Sequence, residues 1–406
     1  MDWSAERAAG LTRLQAYLPR AGRDYARLRN HDLGPQHHEH VSQLSPWVRH
    51  RLIREEEIIA GVLEHHSAEG AEKFIQEVCW RTYWKGWLEL RPWVWQAYRR
   101  EVALGLAEVD DDTRLSERLN RACQGRTGID CFDHWIAELR DTGYLHNHAR
   151  MWFASIWTFT LKLPWALGAD HFLRHLMDGD AASNTLSWRW VAGLQTRGKT
   201  YLARPDNIAR YTEGRFRPGS NELADAAFEV RDMAEMGDPR PLQAATEVAS
   251  GKRTGLLFTE DELTPELWLG DVAISTALAI DCSADRGPDT VAPLVRDFTR
   301  QAITDACRRI TAHWDVNCEQ LDAAVAGREV EDWVRRNQLE QVVIPWTPIG
   351  PGGDVVEVLA GMLESHEVRV VTPRNRWDEL AWPHATHGFF RFRKQIPTLL
   401  DALAGR

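Results

Sequence analysis

The part of the chain richest in potential chemistry runs from Gly143 to Tyr201 and combines charged, amide and indole side chains. Arg150 and Asp178 carry opposite charges, and such a pair must be matched when buried because an uncompensated buried charge is costly. Asp180 and Asn184 are four residues apart, so on a helix they share one face and present a carboxylate and an amide to the same ligand. The pattern predicts a polar site set among helices.

Tryptophan is unusually common, with 19 Trp against 7 Tyr and 12 Phe in 406 residues. Indoles serve as buried wedges and interface anchors, and they also stack on bases and relay electrons. Composition alone does not choose among these roles.

The stretch resembles the FAD-binding helical domain of the photolyase/cryptochrome family. The family pattern His-Asn-x-x-Arg-Met, Asp-Gly-Asp, Asn and Trp-x-Trp occurs in order at His146–Met151, Asp178–Asp180, Asn184 and Trp188–Trp190.

Two upstream blocks agree with this resemblance. Val41–Pro46 is similar to the phosphate loop of the family, with Val41 in place of the usual Thr, and Glu77–Arg81 is similar to its Glu-x-x-Trp-Arg helix. Together the matching blocks extend over roughly residues 20 to 220.

The resemblance implies a bent FAD held between helices. By similarity, backbone N–H groups at Ser42 and Ser45 hold its pyrophosphate, and Asn184 faces flavin N5, where a neutral amide suits reduced flavin. The implied cofactor-binding residues are Tyr25, Ser42, Leu44, Ser45, Arg81, Asn147, Arg150, Asp178, Asp180 and Asn184. Thr212–Phe216 replace the cysteines of the iron–sulfur branch, so no such cluster is expected. Whether a second, antenna chromophore binds stays open.

The resemblance also implies a substrate and a reaction. Glu77, Trp80, Met151 and Trp190 correspond to the residues that hold a flipped pyrimidine dimer, which must leave the base stack to react. His148 stands beside them where the family has Arg, and it is charged only part of the time near neutral pH. The implied catalytic residues are Glu77, Asn184, Trp188 and Trp165.

Trp188 and Trp165 correspond to the proximal and middle members of the family's tryptophan electron-transfer chain. Asp110–Asp112 occupy the place of the distal member, and Trp93 and Trp95 are candidate substitutes.

The net charge of -10 makes the chain as a whole a poor electrostatic match for nucleic acid, so DNA contact requires a local basic patch. Residues 189–217 hold seven Lys or Arg against Asp206 and Glu213, which gives +5. This segment is the predicted contact with damaged DNA.

The chain divides into two predicted domains. Residues 1–235 read as helical, 236–254 as a linker with turn chemistry, and 255–406 as short apolar runs alternating with helices. The last pattern predicts a Rossmann-like parallel α/β sheet. Phe389–Lys394 is similar to the end of the family's antenna domain, which normally precedes the flavin domain, so a circular permutation is the interpretation.

Three functions are consistent with these residues. The first is a light-driven DNA photolyase, a carbon–carbon lyase that uses FAD. The alternative is a cryptochrome-like photoreceptor that signals to a partner protein without repair, which His148 and the acidic net charge favour. The third is a module that stacks single-stranded nucleic acid without photochemistry.

Three further features of the sequence bear on thiol chemistry, cellular location and metal binding. The six cysteines are scattered without C-x-x-C spacing, which favours reduced thiols. No apolar stretch is long enough to span a bilayer and no secretory leader precedes the helices, so a cytoplasmic protein is expected. His37–His40 invite a metal, but they lie in a Pro-containing loop without helical spacing, and no metal site is predicted.

Overall fold

The computed structural model describes residues 3–196, 198–234 and 237–404. The part of the chain before the sheet, here called the front half, is built from helices whose apolar residues recur at helical spacing. The part from β1 onward is called the rear half. Asp112 and Asp180 cap two of them by accepting backbone N–H bonds, and Gly143 ends another in the left-handed region at φ 65°. The α-helices among the described residues are α1 Arg7–Tyr17, α2 Arg23–Leu28, α3 Ser45–Arg49, α4 Glu55–His65, α5 Glu72–Glu89, α6 Pro92–Asp111, α7 Thr113–Cys123, α8 Asp130–Thr142, α9 Asn147–Ser155, α10 Trp165–His175, α11 Ala181–Val191, α12 Pro205–Tyr211, α13 Pro293–Trp314, α14 Ala326–Arg336, α15 Pro351–Ser365, α16 Arg376–Ala381, α17 Phe389–Phe392 and α18 Ile396–Ala404.

The rear half contains a parallel sheet of five strands in the order β3-β2-β1-β4-β5. Its strands are β1 Thr254–Thr259, β2 Thr276–Asp281, β3 Cys318–Asp322, β4 Gln341–Val343 and β5 Arg369–Val371. The three inner strands, β2, β1 and β4, are buried along their whole length, as expected for a sheet covered by helices on both faces. Helices together with a parallel sheet were predicted, and this is confirmed.

The sequence reading differs from the structure in two places. It missed β3, because Cys318–Asp322 is a half-exposed edge strand without an apolar run. It also extended the helical region to residue 235, whereas no helix or strand occurs in the described residues between α12 and β1. Pro218 and Gly219 follow soon after α12 and disfavour a continuing helix.

The two halves meet in a buried layer of charges, here called the seam, formed by Arg49, Arg51, Arg54, Asp261, Glu262 and Asp378. Arg49 Nη1 lies 2.6 Å from Asp261 Oδ1, and Arg51 Nη1 lies 3.0 Å from Glu262 Oε2. Arg51 also pairs with Asp378, which lies on α16. Asp261 and Glu262 follow the end of β1, so the carboxyl edge of the sheet rests against the helices.

No helix within the described ranges has the length and apolar character needed to cross a membrane.

Candidate functional site

Two ion pairs form the centre of the site that the sequence predicted. Arg150 Nη2 lies 2.9 Å from Asp178 Oδ2, and Arg81 pairs with Asp180. The carboxylates are almost closed off, with side chains 2% and 5% exposed, whereas the arginines retain 22% and 14%. Each carboxylate therefore fixes a guanidinium that keeps one accessible side.

The segment Asp178-Gly179-Asp180 is held from several directions. Burial alone would raise the pKa of Asp178, but Arg150, Arg81 and the Ser45 hydroxyl outweigh it and lower the pKa below its ordinary value. Asp180 also caps α11 by accepting from the N–H of Ser183 at 2.8 Å. Both carboxylates are thus ionised at neutral pH and rigidly placed.

Arg81 and Lys85 also act on Asp180. Burial alone would raise the pKa of Asp180, and the two cations outweigh it, so its pKa is lowered as well. The two cations are one turn apart on α5 and share a face of the helix.

Lys85 and Arg49 are site residues that sequence reasoning missed. Lys85 is buried, its Nζ has no hydrogen-bond partner among the described residues, and burial lowers its pKa. Arg49 donates from Nε to the carbonyl of Gly179 at 2.9 Å while pairing with Asp261 of the rear half. The spacing of Lys85 four residues after Arg81 was the available signal, whereas nothing local distinguishes Arg49.

The predicted phosphate loop turns sharply ahead of α3. Gln43 has φ 54°, the N–H of Leu44 donates to Ser42 Oγ at 3.4 Å, and Arg13 Nε donates to the Ser42 carbonyl at 2.9 Å. Ser45 then opens α3. An open cavity of about 430 Å³ borders this loop and is lined by Arg13, Pro35, Gln36, His38, Glu39 and Gln43.

These groups fit a dinucleotide with negative phosphates. Besides Lys85 Nζ, the buried Ser183 Oγ has no partner among the described residues, and an unmade hydrogen bond in a buried place is costly. Three cations, Arg81, Lys85 and Arg150, lie around the two aspartates. Asn184 is buried on α11, where its Nδ2 donates to the carbonyl of Ala169 at 2.7 Å.

The predicted substrate residues begin with Glu77, which pairs with Arg29 at 2.7 Å while about a third of each side chain stays exposed. Burial among its neighbours raises the pKa of Glu77, and Arg29 opposes that rise. Arg29 also lies 5.8 Å from the ring centre of the buried Tyr25. Glu77 is thus held in an accessible position, four residues before Arg81 on α5.

The contacts continue from Arg29 towards the other predicted substrate residues. His148 contacts the Asn30 carbonyl through Nδ1 at 2.9 Å and the hydroxyl of Tyr201 through Nε2 at 3.3 Å. Tyr201 in turn stacks on Trp190, which is 38% exposed. A continuous path of contacts therefore joins Glu77 to His148 and Trp190.

The remaining predicted residues lie at the edges of this path. Met151 is half-buried on α9 and Asn147 is exposed at its start. Trp80 stacks face to face on Phe389 of α17, with ring centres 3.7 Å apart at 12°. Sequence reasoning did not anticipate that contact, because 309 positions separate the two residues.

The candidate relay tryptophans lie in two aromatic groups. Trp188 is buried against Phe172 and Trp157, with ring centres 5.1 and 6.3 Å away. Trp165 donates to Glu101 at 2.6 Å and lies 6.0 Å from Tyr98.

One of the two candidate distal tryptophans adjoins the second group. Tyr98 lies 5.1 Å from Trp95, and Trp95 Nε1 donates to Asp354 at 3.2 Å. Trp93 instead packs against Arg240. Asp112, at the place of the missing distal member, is a helix cap.

The predicted basic patch at 189–217 requires a correction. Arg189 is fully buried and forms two hydrogen bonds with Asp232 at 2.8 and 2.9 Å, so it belongs to the core. Arg215 pairs with the buried Asp32, and Arg197 lies outside the described residues. The exposed cations among the described residues of this segment are Lys199, Arg204, Arg210 and Arg217.

The histidines at 37–40 do not converge on a cation. His38 is buried and pairs with Glu138 at 3.2 Å. Within the described ranges no three His, Cys, Asp or Glu side chains are grouped so as to hold a metal ion.

Comparison with known proteins identifies the class of this site. Residues 74–214 match the family described as the FAD binding domain of DNA photolyase. The matched segment contains both ion pairs, Glu77 and both predicted catalytic tryptophans. Residues 74–214 of the helical region are therefore similar to a flavin-binding domain of the DNA photolyase kind.

Individual relatives narrow the assignment. The deoxyribodipyrimidine photo-lyase of Streptomyces griseus is 32% identical over 181 residues, covering 41% of this chain and 38% of that protein. Cryptochrome DASH of Idiomarina loihiensis is 25% identical over 218 residues, covering 52% of this chain and 46% of that protein. Through this region the chain is similar to proteins of the photolyase/cryptochrome family.

A solved cryptochrome from Synechocystis sp. PCC6803 aligns over 51% of this chain and 43% of its own, with 25% identity and a TM-score of 0.42. The chain spans less than half the length of the two curated relatives above.

Proposed function

We propose that the chain is an FAD-dependent, light-driven lyase that splits pyrimidine dimers in DNA. The arrangement on α5 carries this proposal. Arg81, which faces the aspartates, and Glu77, which opens the path to His148 and Trp190, are one helical turn apart. A flavin held by Arg81 and a base held by Glu77 would therefore lie next to each other.

The residues proposed to hold FAD are those of the two ion pairs, the loop Ser42-Gln43-Leu44-Ser45, Tyr25, Asn147 and Asn184. Bound, reduced FAD would supply a light-excited one-electron donor for splitting the two carbon–carbon bonds of the cyclobutane ring, with the electron returned at the end. The reaction is therefore redox-neutral. The aspartates keep Arg81 and Arg150 in place, and the short amide of Asn184 presents no charge to the flavin.

The protein groups proposed to act on the dimer are Glu77, Trp80, Met151 and Trp190. Glu77 is available to accept a hydrogen bond from a pyrimidine N–H or, when protonated, to donate one to a pyrimidine carbonyl, because Arg29 fixes it from one side only. Trp190 offers an exposed ring for stacking on an extruded base.

The test is a repair assay with purified, FAD-loaded and reduced protein. A duplex carrying one thymine dimer is illuminated with blue light, and restored thymines are counted against a dark sample. We expect light-dependent loss of dimers, and Glu77→Gln should slow it about tenfold. Equal dimer content in light and dark excludes the lyase.

A photoreceptor without repair activity is the second candidate, and His148 favours it. Burial lowers the pKa of this imidazole, with the Asn30 carbonyl opposing the shift, so a neutral ring stands where the family carries Arg. A neutral imidazole binds a phosphate more weakly than a charged guanidinium does. This function predicts light-dependent flavin chemistry and a conformational change in the absence of dimer splitting.

The organisation of the chain supports further proposals. We propose a flavin domain at 1–235, a linker at 236–254 and a Rossmann-like, antenna-type domain at 255–406 that follows the flavin domain by circular permutation. The parallel sheet lying after the helices supports this order. A cytoplasmic location and the lack of an iron–sulfur cluster remain part of the proposal.

A further inference from the structure

The turn at the start of α17 exposes one large aromatic side chain. Phe390 is 76% exposed, and the guanidinium carbon of Arg393 lies 5.7 Å from its ring centre. Arg391 and Lys394 are exposed beside it. We call Phe390, Arg391, Arg393 and Lys394 the aromatic tip.

The tip has a rigid base. Phe389, the residue before Phe390, is buried against Trp80 and Tyr83, with ring centres 3.7 and 5.4 Å away. The Tyr83 hydroxyl donates to the His387 carbonyl at 2.8 Å, and Arg91 donates to the Thr386 carbonyl at 2.6 Å. Phe390 is thus fixed on the surface next to a predicted substrate-binding tryptophan.

The charge around the tip is one-sided. Residues 382–400 contain Arg391, Arg393 and Lys394 and no Asp or Glu, in a chain whose net charge is -10. Within the described ranges none of the three cations forms an ion pair. A single exposed ring among unpaired cations suits a base to stack on and phosphates to contact, and it is too small for an apolar protein interface.

We propose that the aromatic tip binds DNA beside the site of base extrusion. Phe390 stacks on a base that has lost its stacking neighbour because the dimer is flipped out, and the three cations contact phosphates. The inference rests on the proposed function for its choice of damaged DNA. It assigns to the rear half a role in substrate binding, and it adds to the corrected patch at 189–217 a second basic surface beside Trp80.

The experiment measures binding of the full-length, FAD-loaded protein to three fluorescent DNAs: a duplex with one thymine dimer, the same duplex undamaged, and the single strand. Phe390→Ala should weaken binding to the dimer duplex and the single strand about tenfold, and to the undamaged duplex less than threefold. Lys394→Ala should weaken binding to all three DNAs. It should also make the slope of log affinity against log salt concentration shallower by about one. Val358→Ala, at a 72% exposed apolar residue of α15, is the matched control and should change nothing.

The outcomes separate this inference from the lyase. Unchanged binding of Phe390→Ala to all three DNAs overturns the aromatic tip, even if the wild-type protein repairs dimers. A tenfold loss of binding in a protein that repairs nothing supports the tip and rejects the lyase. A Phe390-dependent affinity for anionic lipid vesicles, together with unchanged DNA binding, also overturns the tip.

Discussion

The molecule contains two groups of buried arginine–carboxylate pairs that differ in access. In the seam, Arg51 and its partners Glu262 and Asp378 have side chains at most 2% exposed. In the predicted flavin site the carboxylates are equally closed, but Arg150 keeps 22% of its side chain exposed. The same chemistry therefore joins two halves in one place and leaves cations available to a ligand in the other.

Breaking the seam should have the largest effect. Arg51→Met removes one cation from between two buried carboxylates, and an uncompensated buried charge costs about 3–5 kcal/mol. We expect the free energy of unfolding, measured by chemical denaturation, to fall by that amount. Arg27→Met, which breaks the exposed pair with Asp24, is the control and should cost about 0–1 kcal/mol. Equal losses of unfolding free energy in both variants would show that the seam does not stabilise the contact between the halves.

Glu89 should make the contact between the halves depend on pH. Burial raises its pKa to about 7, although the N–H of Ile349 and the indole of Trp346 donate to it. Because the raised pKa favours the protonated carboxyl in the folded state, its contribution is present at low pH and is lost as pH rises from about 4.5 to 7. The loss is on the order of 3 kcal/mol at most.

Glu89→Gln should make this dependence shallower, since an amide stays neutral. Unfolding free energies at several pH values between 4.5 and 8 measure the slope, and Glu64→Gln, on an exposed part of α4, should leave it as in the wild type. The buried Glu260, whose pKa burial also raises to about 7, keeps part of the slope, so a slope in Glu89→Gln as steep as in the wild type contradicts the assignment.

Breaking the pair of Arg150 and Asp178 should weaken FAD binding more than it destabilises the fold. Asp178→Asn removes the charge that fixes Arg150, so FAD affinity, measured by quenching of flavin fluorescence, should fall at least tenfold. The unfolding free energy without FAD should fall by only about 1 kcal/mol, because Arg150 can turn to solvent. Asp206→Asn, in the exposed pair with Arg204, serves as control. Unaltered FAD affinity would remove this pair from the site.

The smallest effect is expected at Trp95, where the two halves of the chain touch through Asp354. If Trp95 completes the relay from Trp165 through Tyr98, Trp95→Phe should slow photoreduction of the bound flavin about threefold. Trp93→Phe should leave the rate unchanged, because Trp93 packs on Arg240 instead. Rates are followed by flavin absorbance under blue light with an external reductant. Equal rates in both variants would exclude Trp95.

Sequence reasoning brought the residues of the candidate flavin site together because they keep fixed spacings within a few helices. Arg150 and Asp178 were expected to pair, and they do. The seam was not foreseen, since Arg49–Arg54 and Glu260–Glu262 read locally as solvated charge and meet only through the fold. The burial of Arg189 was missed for a similar reason, because its partner Asp232 lies 43 positions away in a segment without regular structure.

The contact of Arg49 with Asp261 has a consequence for light collection. In open parallel sheets, small molecules usually bind at the crevice beyond the carboxyl ends of the strands, where the strand order reverses. Here that reversal falls between β1 and β4, and Arg49 fills the space next to Asp261 while Gly350 abuts Ala181 of α11. A ligand seated there would have to displace the helical half, so under the proposed function a second chromophore would need another face of the sheet, or the proposed flavin would capture the light alone.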